Sequence, residues 1–262
     1  MNKDIAQVKN YYDIKINEKI RGFVEGNPRI EGAWLTVEQW TPSNPQRILE
    51  IGCGIGDISW RMSRCWPESE VIGLDISPKS LEIARKLFGS PRLSFVEGPL
   101  TEGILDGKFD LIVLLDVYEH IAIADRPILH EALRQLLSER GRLILAFPTP
   151  RKQANLKQYH PEEIQPVDED INNVTILALA DHTETEVFLY QEVDIWHEGD
   201  YAHAVLGKRT DWLPAIRNYG FKQGIRGKIR DFILSREQSI VTTRSKRLAL
   251  LHQKLGSEYY SN

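Results

Sequence analysis

Five short apolar runs, separated by helical stretches, most constrain how this chain can fold. They are Arg47–Ile51, Val71–Leu74, Leu93–Val96, Phe109–Asp116 and Arg142–Phe147. The fourth, ending at Asp116, shows none of the alternation of a strand with one wet face, so both of its faces are expected to be buried. Strands of that kind belong in a parallel sheet covered by helices on each side. The helical stretches Asp57–Cys65, Pro78–Phe88 and Arg126–Ser138 fall between the runs. Pro78 occupies a first turn, where its missing N–H is harmless. The pattern predicts a doubly wound, mostly parallel α/β sheet, with its ligand at the strand C-termini near the switch in strand order.

The flanks depart from that rhythm. Residues 1–45 read as a helical cover, with Lys9–Gly22 helical and Pro28 and the TPSNP run (41–45) punctuating the approach to the first strand. The stretch 151–170 reads as a polar loop, followed by a helix over Ile171–Ala180. Glu186–Trp196 alternates and Tyr201–Leu206 follows a His197-Glu198-Gly199-Asp200 turn, which predicts a late antiparallel pair. The expected organisation is a cover (1–45), a ligand-binding domain (46–207, of which 151–207 forms the acceptor side) and a helical extension (208–262).

With 42% hydrophobic residues, 27% charged residues and a net charge of −4, composition is that of a soluble globular protein. No apolar stretch is long enough to span a bilayer, and the N-terminus MNKDIAQVKNYYD lacks the apolar core of a secretory signal. Two cysteines, Cys53 and Cys65, exclude a disulfide framework and argue against a zinc knuckle. The expectation is a cytoplasmic, reduced protein. Charge is unevenly placed: from residue 208 on, 12 Lys and Arg face 4 Asp and Glu. Such a tail either meets an anionic partner or packs on the acidic body.

The segment Ile48–Asp57, ILEIGCGIGD, carries the chemistry. A dinucleotide fingerprint, G-x-G-x-x-G/A, would place a small residue at the sixth position. Here that position is Asp57, whose charge opposes a phosphate, and no P-loop lysine follows. Glu50, just before the loop, suits a cationic or donor-rich ligand, and Asp75, ending the second run, can accept bonds from two vicinal ribose hydroxyls. Acid, bare loop and ribose-binding acid together describe a nucleoside joined to an amino acid, which is S-adenosylmethionine.

The segments ILEIGCGIGD (48–57), VIGLDIS (71–77), LSFVEG (93–98), FDLIVLLDVYEHI (109–121) and GRLILAFPTP (141–150) occur in the order of a known family. Over residues 45–150 the chain resembles the class I S-adenosylmethionine-dependent methyltransferases, in particular the ubiquinone-biosynthesis and small-molecule methylase group. The resemblance implies their Rossmann-like fold and S-adenosylmethionine as cofactor. It implies that Gly52, Cys53, Gly54 and Gly56 pass close to the methionine part, with Glu50 nearby. Asp75 would hold the ribose, Ile76 would pack on the adenine, and Glu97 and Gly98 would lie at the adenine edge. Asp116 would face the sulfonium end. Pro99 departs from the family, which commonly has an acid there to receive the adenine amino group. Cys53 also reads more plainly as a small buried filler. The cluster Asp116, Glu119 and His120 resembles a metal-binding group in some relatives, but no metal is assigned.

Methyl transfer to an acceptor that must lose a proton calls for a base. The order of preference is His120, after the fourth run, then His160, in the polar loop; His197 and His203 flank the late pair. His130 and His252 are expected to be solvated, and Tyr11 and Tyr12 are lid candidates. The reading is an enzyme that methylates a small-molecule acceptor, oxygen before nitrogen. Nucleic acid is disfavoured as partner because Asp116-Val117-Tyr118-Glu119 replaces the tetrapeptide of base-methylating relatives, and a homodimer stays open. The alternatives are methylation of an RNA or carrier-bound substrate docked by the basic tail, and a non-catalytic binder of the donor.

Overall fold

A computed structural model of the chain describes residues 3–208 and 243–260. Seven strands form one sheet in the order β3-β2-β1-β4-β5-β7-β6. These are β1 (Arg47–Ile51), β2 (Glu70–Asp75), β3 (Leu93–Glu97), β4 (Phe109–Leu115), β5 (Leu137–Pro148), β6 (Glu186–Val193) and β7 (Tyr201–Gly207). The first five are mutually parallel, and β7 runs antiparallel between β5 and β6. The doubly wound fold and its late antiparallel pair are therefore as the sequence predicts.

Alternate strand residues separate two cores. Ile48, Val71, Leu111, Val113 and Ile144 face one side, whereas Leu49, Ile72, Ile112, Leu114 and Leu145 face the other. The first face is covered by α2 (Ile16–Glu25), α3 (Pro28–Trp40), α4 (Asp57–Cys65), α5 (Pro78–Phe88) and α9 (Arg244–Leu255). The second is covered by α6 (Arg126–Leu136) and α8 (Asn173–His182). Ile20, Phe23, Trp34 and Val37 are all buried, so α2 and α3 are part of the core as well as a cover.

Three local readings change. Pro28 opens α3, capped by the Asn27 side chain, which accepts from the Arg29 N–H. The polar stretch after β5 begins with a helix, α7 (Pro150–Tyr159), capped by Thr149. The fifth strand starts at Leu137 because α6 ends there, and a register shift between Phe109 and Leu111 absorbs the extra residues. The basic C-terminal stretch is described only from residue 243 on. There α9 packs on α2 and α5, with Arg244 on Glu25 and Arg247 on Glu31, while the rest of the expected basic extension, residues 209–242, lies outside the described residues.

Candidate active site

Between β1 and β4 the strand order reverses, and a cavity of about 500 Å³ opens there. Its floor is the loop after β1. Gly52, Gly54 and Gly56 all have positive φ. At Gly52 (φ +73°) a Cβ would also collide with the Val117 side chain, and at Gly56 it would meet the Phe95 ring at 2.7 Å. Only glycine lets this loop turn while packed between β2 and β4. The Gly52 and Cys53 N–H groups donate to the Leu74 carbonyl, which ties the loop to β2.

Asp75 ends β2 and organises the turn. One carboxylate oxygen accepts from the Gly54 N–H at 2.7 Å and the other from the Ser77 N–H at 2.8 Å. Each oxygen retains a lone pair. Glu50 is 5% exposed and accepts a short hydrogen bond from the Ser59 hydroxyl of α4. Burial pushes its carboxyl up to about 8, with Ser59 opposing the shift and the charges of Asp57 and Asp75 adding to it. In the free protein at pH 7 Glu50 is therefore mostly protonated.

Asp116 follows β4 with φ +54°, uncommon for a residue with a side chain. It makes an ion pair with Arg29 Nη1 at 3.2 Å, and the same nitrogen donates to the Tyr201 hydroxyl at 3.0 Å. Glu119 and His120 follow in a 3₁₀ turn (Tyr118–His120). Burial, and then the charge of Asp116, drive the Glu119 carboxyl well above its usual range. His120 Nδ1 lies 2.9 Å from the Val167 carbonyl, which can only accept, so Nδ1 carries the proton. Nε2 is then the lone-pair nitrogen, 3.6 Å from Glu119 Oε1, and the residue lines the cavity. Burial lowers the His120 pKa below its ordinary value, which keeps the ring neutral near pH 7. The Tyr12 and His120 ring centroids lie 6.4 Å apart in an edge-to-face arrangement, and the Tyr12 hydroxyl donates to Gln165 Oε1 at 2.8 Å.

The cavity thus brings together Glu50, Gly52, Cys53, Gly54, Asp75, Ile76, Gly98, Asp116 and His120. Gly56 packs beneath it. Glu97 turns instead to Lys9, at 2.8 Å. His160 is exposed at the end of α7, with Nδ1 3.6 Å from Glu162 and Glu163 nearby. His203 is buried in β7 against Thr36, at 2.8 Å, and His197 is exposed in the hairpin turn. His130 is not solvated: it is 7% exposed, lies 2.8 Å from the Tyr118 hydroxyl, and is lowered to about 4, chiefly by burial. His252 is half-buried, its Nε2 2.9 Å from the Tyr260 carbonyl. Tyr11 and Tyr12 both line the cavity. Sequence reasoning missed Arg29, Lys19 and Gln165. Asn27-Pro28 is a readable helix start that puts Arg29 in a first turn, but nothing local couples it to Asp116.

A family model described as a methyltransferase domain matches residues 48–141, the span that builds the loop, Asp75, Asp116 and His120. Residues 48–141 thus match a methyltransferase domain. Within it, similarity reaches a demethylmenaquinone methyltransferase of Thermus thermophilus, 32% identical over 114 residues, covering 42% of this chain and 51% of that protein. It reaches a malonyl-[acyl-carrier protein] O-methyltransferase of Anoxybacillus flavithermus at 28% over 102 residues, 39% of each. The chain spans roughly a third to a half of the length of such relatives. The fold is like that of magnesium protoporphyrin IX methyltransferase from Synechocystis with bound SAH, with a TM-score of 0.59 and 16% identity, covering 79% of this chain and all of that one. A TehB-like SAM-dependent methyltransferase from Corynebacterium glutamicum gives 0.57 and 21%, with 76% and 99% covered. Among the described residues, no helix is long and apolar enough to cross a membrane.

Proposed function

We propose that this protein is an S-adenosylmethionine-dependent methyltransferase acting on a small-molecule acceptor, oxygen in preference to nitrogen. The observation that carries the reading is the set of three carboxyl groups, Glu50, Asp75 and Asp116, around a backbone-lined floor in one cavity. The donor set fits a cationic, phosphate-free ligand. Asp75 keeps two lone pairs for vicinal hydroxyls, Glu50 gains by ionising beside an ammonium group, and Asp116 retains a buried oxygen with no hydrogen-bond partner. Thr101 and Gly98 lie on the cavity wall beside Pro99, where the Thr101 hydroxyl would offer the adenine amino group an acceptor.

When bound, S-adenosylmethionine supplies a sulfonium-borne methyl group open to SN2 displacement. The chain's part is positioning and proton removal. Asp116, fixed by Arg29, directs negative charge to the β4 side of the cavity. His120 receives the acceptor's proton at Nε2, while the Val167 carbonyl holds the ring in that tautomer. A neutral amine can attack before it loses its proton, whereas a hydroxyl gains most from a base in place. That favours oxygen.

Calorimetry with S-adenosylmethionine and S-adenosylhomocysteine tests the donor half, and absence of binding to both overturns it. Labelled methyl offered with a cell extract tests the acceptor half. Label is expected in the small-molecule fraction; label confined to protein or RNA would replace this acceptor reading.

A further inference from the structure

The basic C-terminal stretch plays no part in the chemistry above, yet its described helix reaches the parts that build the cavity. Arg247 of α9 is 4% exposed, an unusual burial for arginine. Its Nη1 donates to the Phe23 carbonyl at 2.9 Å, in the last turn of α2, where backbone carbonyls lack helical partners. Its Nη2 donates to Glu31 Oε1 at 3.1 Å, in the first turn of α3. One guanidinium therefore brackets the α2–α3 turn from both sides. That turn contains Gly26, whose φ of +88° requires glycine, and Asn27, which caps α3. It leads directly into Arg29, the partner of Asp116.

Glu31 is shared. Arg61 of α4 makes a two-pronged pair with it, at 2.8 and 2.7 Å, and reaches back to Asp57 at 3.1 Å. Arg61, Asp57, Asn27 and Arg29 all line the cavity. Burial alone would raise the Glu31 carboxyl, but the bonds and charges of Arg61 and Arg247 hold it below its usual value. The chain of contacts thus runs from α9 through Glu31 to the helix that follows the glycine loop, and through the turn to Asp116. Planar, two-pronged geometry makes such a connection stiff, which a lysine's point charge would not.

We propose that Arg247 is a positioning residue for the donor site, clasping the α2–α3 turn so that Arg29 meets Asp116 and Arg61 meets Asp57. This role rests on the donor reading above. It makes the C-terminal helix part of the site's scaffold rather than a docking arm for nucleic acid.

The test uses the full chain and S-adenosylhomocysteine as probe. Arg247→Met is expected to raise its Kd at least tenfold, with hydrogen exchange accelerated at residues 23–31 and 57–61 and unchanged in β1, β4 and β5. Arg247→Lys, which keeps the charge but not the fork, should fall between. Glu31→Gln, at a partly exposed end, serves if the methionine variant does not fold, and the two substitutions together should weaken binding less than additively. Wild-type binding with an unchanged Arg247→Met affinity overturns the role alone, as does exchange that rises evenly through the sheet. Loss of salt-dependent binding to polyuridine RNA with donor affinity intact also overturns it, assigning the helix to nucleic acid. No binding by the wild-type chain overturns the donor reading and this role with it.

Discussion

Glu50 illustrates how one buried side chain links stability, pH and ligand. Its folded pKa, near 8, stands above its ordinary value of 4.5. The stability it contributes is complete below pH 4.5 and is lost as pH rises through 8. The free protein should thus lose melting temperature between about pH 4.5 and 8, and Glu50→Gln should flatten that slope while keeping the bond to Ser59. A cationic ligand favours the ionised form, so S-adenosylmethionine should bind more tightly as pH rises over the same range. Calorimetry in buffers of different ionisation enthalpy should detect a released proton. Parallel melting curves for wild type and variant would remove Glu50 from both roles. At His120 the direction is opposite: burial lowers its pKa, so the acid limb of the transfer rate should lie below pH 6.5. His120→Gln should cut turnover by about 10²–10⁴-fold with S-adenosylhomocysteine affinity kept within about twofold. Turnover near wild type, assayed as labelled methyl in the small-molecule fraction, would rule out the base. Glu50, Asp75 and His120 were readable because each ends or follows an apolar run, and the fold brings strand ends together. Arg29 was not, because its value comes from Asp116, 87 residues away in sequence. His130 was misjudged for a related reason: the helix period places it on the α6 face that meets Tyr118, a contact no local pattern announces.

Among elements, the strands were the most legible, because two-sided burial demands uninterrupted apolar residues and the sequence has few other places for them. α7 was hidden by the opposite property. Of its ten residues only Gln153 and Leu156 are buried, so no apolar stripe marks it, although Thr149-Pro150 is a readable cap and first turn. The glycine loop was legible as a loop, but its packing was not. Gly56 stands in the sequence as one more glycine for the ligand, and in the fold it also makes room for Phe95 beneath the floor. Gly52 gives the sharper prediction. Alanine there meets a positive φ and the Val117 side chain together, at a cost of about 1–3 kcal/mol. Gly52→Ala should lower the melting temperature and weaken S-adenosylhomocysteine at least tenfold. Adding Val117→Ala should restore part of both, since it relieves the collision but leaves the strained backbone. Wild-type affinity in Gly52→Ala would show that the loop makes no close approach to the ligand.

For the molecule as a whole, the decisive arrangement is that the N-terminal helices are fastened to the sheet domain on the far side of the cavity. Lys9 of α1 (Lys3–Ile14) pairs with Glu97 at 2.8 Å, Asp13 accepts from the Ser77 hydroxyl at 2.6 Å, and Lys19 donates to Ser80 at 3.1 Å. All three partners lie after β2 or at the end of β3, beside the loop expected to hold the adenosine half of the donor. A ligand held between floor and cover is expected to leave faster when those ties are broken. The Lys9 pair is exposed and contributes little, whereas Asp13 meets a hydroxyl that is itself buried as the cap of α5. Asp13→Ala removes the tie from the cover and leaves the cap intact. Stopped-flow displacement of S-adenosylhomocysteine should show the dissociation rate rising severalfold, with the melting temperature of the ligand-free chain nearly unchanged. Association should quicken too, because the same opening admits the ligand, so the change in Kd is smaller than either rate change. A dissociation rate equal to wild type would mean that the cover moves independently of this contact, and that exchange of the ligand follows another route.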